Sequence, residues 1–281
     1  MISDFLLEEL TVTANLIRQD IIQMVAHSGS GHLGGPLGLA DVFTALYFQV
    51  LNHQPRKPNW PDRDRLVVSN GHVCPVLYAT LAHAGYFPRK DLLGYHQLGS
   101  PLQGHPNRLE LPGVETSSGP LGQGISQAVG MALAGQLDGK NYQVYCVMGD
   151  GEHDEGQVWE ALMFAAKRKL HNLAVIVDRN NIQIDGHTED VMPLESLRAK
   201  YEAFNWHVID IDGHNFQEIL DACETAKAVY EKPVAILAHT IPGKGVDFMQ
   251  WKPEWHGREL SQEDAAVALS QLRRELEKER K

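Results

Sequence analysis

Five short apolar runs constrain the fold more than any other feature of the chain: LVVSN (66–70), QVYCVMGD (143–150), LAVIVD (173–178), HVIDID (207–212) and PVAILAHT (233–240). A strand with one face in water alternates apolar and polar residues; a run with no such alternation reads as a strand covered on both faces. Between these runs lie the helical patterns GISQAVGMALAGQLD, GQVWEALMFAAKRK and FQEILDACETAKAVYE. Strands alternating with helices imply an α/β fold, a mostly parallel sheet with helices on both faces. In such sheets ligands bind beyond the carboxyl ends of the strands.

The remaining segments fit around that sheet. Ile17, Ile21, Ile22 and Val25 recur at helical spacing and predict an amphipathic helix over 5–27. Residues 39–50 predict a second, buried helix. The stretch 85–120, rich in Gly, Pro and His, predicts a long irregular loop, and a loop that long in a compact domain is usually functional or disordered. We expect one domain over 1–260, with 261–281 a charged helix or tail.

Composition excludes some classes of partner. The 281 residues carry a formal charge of −11, and the basic residues form no stripe. Nucleic acid and an anionic membrane surface are therefore not expected partners. Cys74, Cys146 and Cys223 are widely spaced and form neither a paired extracellular framework nor a zinc-like CxxC, which suits a reducing cytoplasm. The N-terminus is acidic where a signal peptide is basic, and no apolar run reaches membrane-span length.

The strongest chemical signal is a pair of strand ends. Gly149-Asp150-Gly151 closes one apolar run, and Asn180 follows the next, 30 residues after Asp150. That is one strand–helix–strand crossover, so a carboxylate and an amide oxygen should meet at one edge of the sheet. Hard oxygens of this kind suit Mg²⁺ or Ca²⁺, completed by phosphate oxygens and water. The flanking glycines permit a tight turn and an open approach to a phosphate. Other patterns fail on context. Gly29 to Gly34 fits GxGxxG literally but follows a helix, and Pro242-Gly243-Lys244-Gly245 lacks the other residues of a phosphate-binding loop.

GDG followed by Asn at this distance resembles the metal–diphosphate motif of thiamine diphosphate enzymes. SGSGHLGGPLGLAD (28–41), LVVSNGH (66–72), GHPNRLELPGVETSSGPLGQGIS (104–126), DRNNIQIDG (178–186) and the stretch from TIPGKGV to WHG (240–257) resemble the transketolase family in particular. The resemblance runs in order from about residue 10 to 260 and covers only the first half of an ordinary transketolase. It implies thiamine diphosphate and Mg²⁺ (or Ca²⁺ or Mn²⁺) as cofactors and transfer of a two-carbon ketol unit between sugars, phosphorylated ones among them. It also implies a second chain carrying the pyrimidine-binding and C-terminal domains, in a heterotetramer.

Position by position, the resemblance assigns Asp150, Asn180 and the Ile182 carbonyl to the metal. It assigns Gly119, Pro120, Leu121, Gly149, Gly151, Glu152 and Ile184 to the cofactor. His32, His72, His105 and His256 match the histidines around cofactor and sugar, with His72 and His256 touching the cofactor and His105 facing the transferred unit. Glu155 and Glu160 match a proton-linked carboxylate network at a subunit interface, although carboxylates also suit a helix N-terminus for structural reasons. Leu33, where the family usually has proline, and Glu152-His153-Asp154, more charged than usual, depart from the pattern and leave the donor sugar open. The rival readings are another thiamine diphosphate enzyme, such as a deoxyxylulose-phosphate synthase or an oxo-acid dehydrogenase subunit, and a non-catalytic paralogue.

Overall fold

The structure, a computed structural model, describes residues 3–279. Its elements in chain order are helices α1 (Asp4–Ser28), α2 (Gly34–Gly38) and α3 (Ala40–Ala45), strand β1 (Arg65–Val68), helices α4 (Cys74–His83) and α5 (Gln123–Leu137), and strand β2 (Val144–Gly149). Then come α6 (Gly156–Lys167), β3 (Leu173–Arg179), β4 (Ile182–Gln183), β5 (Gly186–His187), α7 (Thr188–Val191), α8 (Leu197–Ala203), β6 (His207–Asp212), α9 (Phe216–Ala228), β7 (Val234–His239) and α10 (Gln262–Glu279).

The main sheet has the order β1-β2-β3-β7-β6, and all four pairings are parallel. The pleat sends alternate residues to opposite faces. Val144, Cys146 and Met148 of β2 enter a core with α5 and α6, while Tyr145 and Val147 enter the core made by α1, α3, α4 and α9. Both sets need apolar side chains, which is why β2 and β3 lack alternation. The edge strand β6 departs from the expected burial on both faces. Val208 and Ile211 are buried, but Asp210 and Asp212 face solvent, because no strand lies beyond it.

Helix α1 begins where the Ser3 hydroxyl accepts from the Leu6 N–H and ends at Gly29, whose φ of 72° few other residues adopt. Ile17, Ile21, Ile22 and Val25 are all fully buried on it. The helix expected over 39–50 is not continuous. Leu39, with ψ of −2°, separates α2 from α3, and residues 46–50 widen into a π turn closed by the Leu51 N–H on the Leu46 carbonyl. The loop over 85–120 is held by its own apolar anchors, Tyr95, Leu102 and Leu111, and by the two-pronged Arg63–Glu115 pair at 2.8 and 2.6 Å. Helix α10 lies against α1. Ala268 and Leu272 are fully buried there, and the Asn15 side chain donates to the Leu272 carbonyl.

Candidate active site

The parallel register pairs Gly149 with Asp178, so the residues that follow β2 and β3 leave the sheet side by side. Asp150 and Asn180 therefore do meet at one edge, joined by Asp178 between them. The Asn180 side chain donates to Asp178 Oδ2 at 2.7 Å and its Oδ1 accepts the Ile182 N–H at 3.0 Å. An N–H can only donate, which fixes the amide orientation. Thr240, after β7, donates to the other Asp178 oxygen. Burial pushes Asp178 up to about 7, with the Asp150 charge adding to the effect, and burial also raises Asp150. Two neighbouring buried carboxyls favour a cation between them and a ligand.

A cleft of about 390 Å³ opens over this edge. Its walls include Gly119, Leu121, Gly149, Asp150, Gly151, Glu152, Asn180, Ile182 and Ile184. Pro120 lies between two lining residues but is itself exposed and off the wall. The loop at Gly119 reaches the cleft because β1's continuation presses on it. A Cβ at Gly71 would sit 2.8 Å from the Ser118 carbonyl carbon, and one at Gly124 would sit 2.5 Å from Ser69 Cβ. Only glycine permits those two approaches.

The four histidines come from four separate segments and converge. Ring centroids lie 5.2 Å apart for His32–His72, 4.9 Å for His72–His256, 5.5 Å for His32–His256 and 6.3 Å for His32–His105. Burial lowers all four. His32 falls to about 4, helped by repulsion from His256 and His105, and His72 falls well below its usual value. Each ring is therefore neutral at pH 7, with one donor and one acceptor nitrogen. Such rings suit hydroxyl and carbonyl groups and can pass protons between them.

Glu152 lines the cleft, but its carboxylate is already occupied. It accepts from the Ser69 hydroxyl, from the Gly122 N–H at 2.7 Å and from the Gly149 N–H at 3.1 Å. His153 turns away from the cleft, bonded to the Gly149 and Asp150 carbonyls and to the Tyr201 hydroxyl. Leu33 is fully buried in the core, so of the four departing residues Leu33, Glu152, His153 and Asp154, Glu152 alone lines the cleft. Glu155 and Glu160 lie on the exposed start of α6, outside the cleft wall. The structure adds Asn70, Asp178, Gln183 and Asp185 to that wall. The buried Asn70 amide has no partner on either atom, and Gln183 Nε2 has none. Their only signal in the sequence was position, two residues beyond a strand end for Asn70 and within the DRNNIQIDG segment for the others.

These features fit a diphosphate and a divalent ion. An unpartnered buried amide faces the cleft, glycines leave its floor open, and the oxygen donors Asp150 and Asn180 stand at its edge. Among the described residues no three His, Cys, Asp or Glu side chains form a ready metal cage, so an ion here needs oxygens from a bound group.

Comparison with known proteins agrees on the diphosphate cofactor. Residues 10–279 match the family model described as transketolase, thiamine diphosphate binding domain. The chain is 45% identical to the 6-deoxy-6-sulfo-D-fructose transketolase subunit SqwG of Clostridium sp. (strain MSTE9), over 95% of this chain and 97% of that one. It is 39% identical to an apulose-4-phosphate transketolase subunit of Phocaeicola vulgatus, over 96% of each. The structure of the transketolase from Campylobacter jejuni superposes with a TM-score of 0.87 at 36% identity, covering 96% of this chain but 43% of that longer one. The cleft, its four histidines and these matches lead to one statement: the chain belongs to the transketolase family, in the part of the fold that binds thiamine diphosphate.

Proposed function

We propose that the chain is the cofactor-binding subunit of a two-chain transketolase, holding thiamine diphosphate through a divalent ion, Mg²⁺ in the cell. The observation that carries this is the convergence of four neutral histidines above the Asp150–Asn180 edge. Asp150, Asn180 and the Ile182 carbonyl hold the ion, and the backbone at Gly119, Leu121 and Gly151 receives the cofactor. When bound, thiamine diphosphate supplies the electron sink for a two-carbon ketol unit. His105, packed against Gly119, serves the oxygen of the transferred unit, while His32 and His72 bind and orient substrate hydroxyls. His256 reaches both cofactor and sugar.

The donor is a ketose with an anionic group remote from its carbonyl. The names of the two relatives above span both sulfonate and phosphate. The second chain supplies the pyrimidine-binding and C-terminal domains in a heterotetramer. Support for this comes from the two relatives named as subunits and from the 43% coverage of a full transketolase. The exposed Met163 and Phe164 of α6, near Glu155 and Glu160, suit that contact. Three free buried thiols suit the cytoplasm, and no described helix is long and apolar enough to cross a membrane.

Calorimetric titration of the chain, with its partner present, tests the reading. Thiamine diphosphate should bind only with Mg²⁺, and Asp150→Ala should abolish that binding while the fold persists. Unchanged affinity in the folded variant would overturn the metal assignment.

A further inference from the structure

Arg179 directly precedes Asn180 in sequence and its side chain meets Asp150 in space, and the proposed metal site gives it no role. Its side chain is 4% exposed, and three carboxylates surround it. Nη1 donates to Asp150 Oδ2 at 2.9 Å; Nη2 donates to Glu189 Oε1 at 2.7 Å and to Glu195 Oε1 at 2.8 Å. The Glu189 and Glu195 side chains are 37% and 60% exposed. The guanidinium thus reaches from a buried carboxylate to the surface segment between β5 and α8.

Asp150 Oδ2 also accepts the Asn181 N–H at 2.8 Å and the Thr188 hydroxyl at 3.3 Å, so three donors crowd one oxygen. Among the described residues, Oδ1 accepts only the Gly151 N–H, at 2.8 Å. An ionised carboxyl group offers about four acceptor positions, and here the open one is on Oδ1. The same donors tether the 188–195 segment. The Thr188 hydroxyl meets Asp150, the Thr188 N–H meets the Asn181 carbonyl, and both glutamates meet Arg179. Gln183, Ile184 and Asp185 of the cleft wall lie between these tethers.

We infer that Arg179 is a positioning residue of the metal site: it turns Asp150 so that Oδ1 alone is offered to the ion, and it straps segment 188–195 to the same carboxylate. Occupying the ion site and ordering the strap are then one coupled event, and coupling of this kind acts in both directions. A charge-only role predicts the opposite sign. Removing a cation beside Asp150 would draw Mg²⁺ in more tightly, whereas removing a positioning group weakens it.

The metal half of this inference rests on the proposed function; the strap half does not. The test compares the parent with Arg179→Met, Arg179→Lys and the surface double variant Glu189→Gln/Glu195→Gln. Readouts are Mg²⁺ affinity in the presence of thiamine diphosphate and the partner, and amide hydrogen exchange of 186–196 with and without the ion. Arg179→Met should weaken Mg²⁺ binding at least tenfold and speed exchange of the strap at least tenfold relative to β3. Arg179→Lys, which keeps the charge but not the fork, should recover only part of either. In the parent, Mg²⁺ with thiamine diphosphate should slow exchange of the strap, and in the double variant this protection should shrink. If Arg179→Met does not fold, the double variant, altered only at half-exposed and exposed positions, decides the matter. Mg²⁺ affinity unchanged or tighter in Arg179→Met would overturn the metal half. Strap exchange as slow in the double variant as in the parent would overturn the strap half. A parent that binds no Mg²⁺ and thiamine diphosphate would instead overturn the proposed function and the metal half with it, and the exchange of the free chain would still decide the strap.

Discussion

Replacing Glu152 with alanine should destabilise the chain and loosen the cofactor loop together. Glu152 is 3% exposed, and its carboxylate accepts from the Ser69 hydroxyl and from the Gly122 and Gly149 N–H groups. Ser69 cannot simply turn elsewhere, because its oxygen already accepts the Gly124 N–H at 3.1 Å. Each buried donor left without an acceptor costs about 1–3 kcal/mol. Water entering the vacated space satisfies some of them, so the net loss is about 2–4 kcal/mol. Glu152→Gln keeps an oxygen for Ser69 and Gly122 but turns its NH₂ toward the Gly149 N–H, a loss of about 1–2 kcal/mol. Urea unfolding with an unchanged m-value measures both. Because Gly122 closes the loop that carries Gly119 and Leu121, thiamine diphosphate affinity should fall in the same order, alanine below glutamine below the parent. Alanine stability within about 0.5 kcal/mol of the parent, the range of an ordinary surface change, would refute the reasoning.

His105→Ala should lower ketol transfer by the reconstituted enzyme about 10²–10⁴-fold with little change in cofactor affinity; normal turnover in steady-state assays would contradict its role. Acid should destabilise the chain through its buried histidines. Burial pushes His32 and His153 down to about 4, so between that pH and 6.5 the unfolded chain binds protons there that the folded chain refuses, and stability rises with pH across the window. Asp178, pushed up to about 7, and other carboxyls raised by burial, Asp150 and Glu152 among them, oppose this, while His72, His105 and His256, lowered by burial, add to it. The urea midpoint should climb over that range and climb less in His153→Gln, and a midpoint that falls would contradict the balance.

Much of this was legible in the sequence because it is local. An apolar run of strand length and a GDG turn declare themselves within a few residues, and the 30-residue interval from Asp150 to Asn180 needs only adjacent parallel strands. The order β1-β2-β3-β7-β6 is not a local property, so the exposure of Asp210 and Asp212 on the edge strand was not legible. The same holds for Arg179, whose partners Glu189 and Glu195 return to it only through the fold. Glu152 lines the cleft as its position beside Asp150 suggested, yet its three bonds to the loop and strand ends depend on segments far away in the chain. The four histidines were found through their motifs, but their mutual approach, and the burial that lowers them, required the structure.

The most direct test of the account is ketol transfer by the purified chain, with thiamine diphosphate, Mg²⁺ and ketose donors bearing either a terminal phosphate or a terminal sulfonate, before and after addition of the chain that carries the pyrimidine-binding domain. The account predicts no transfer from this chain alone and transfer from the pair, lost again in Asp150→Ala. Full activity from the isolated chain, or none from the pair with either donor, would contradict it.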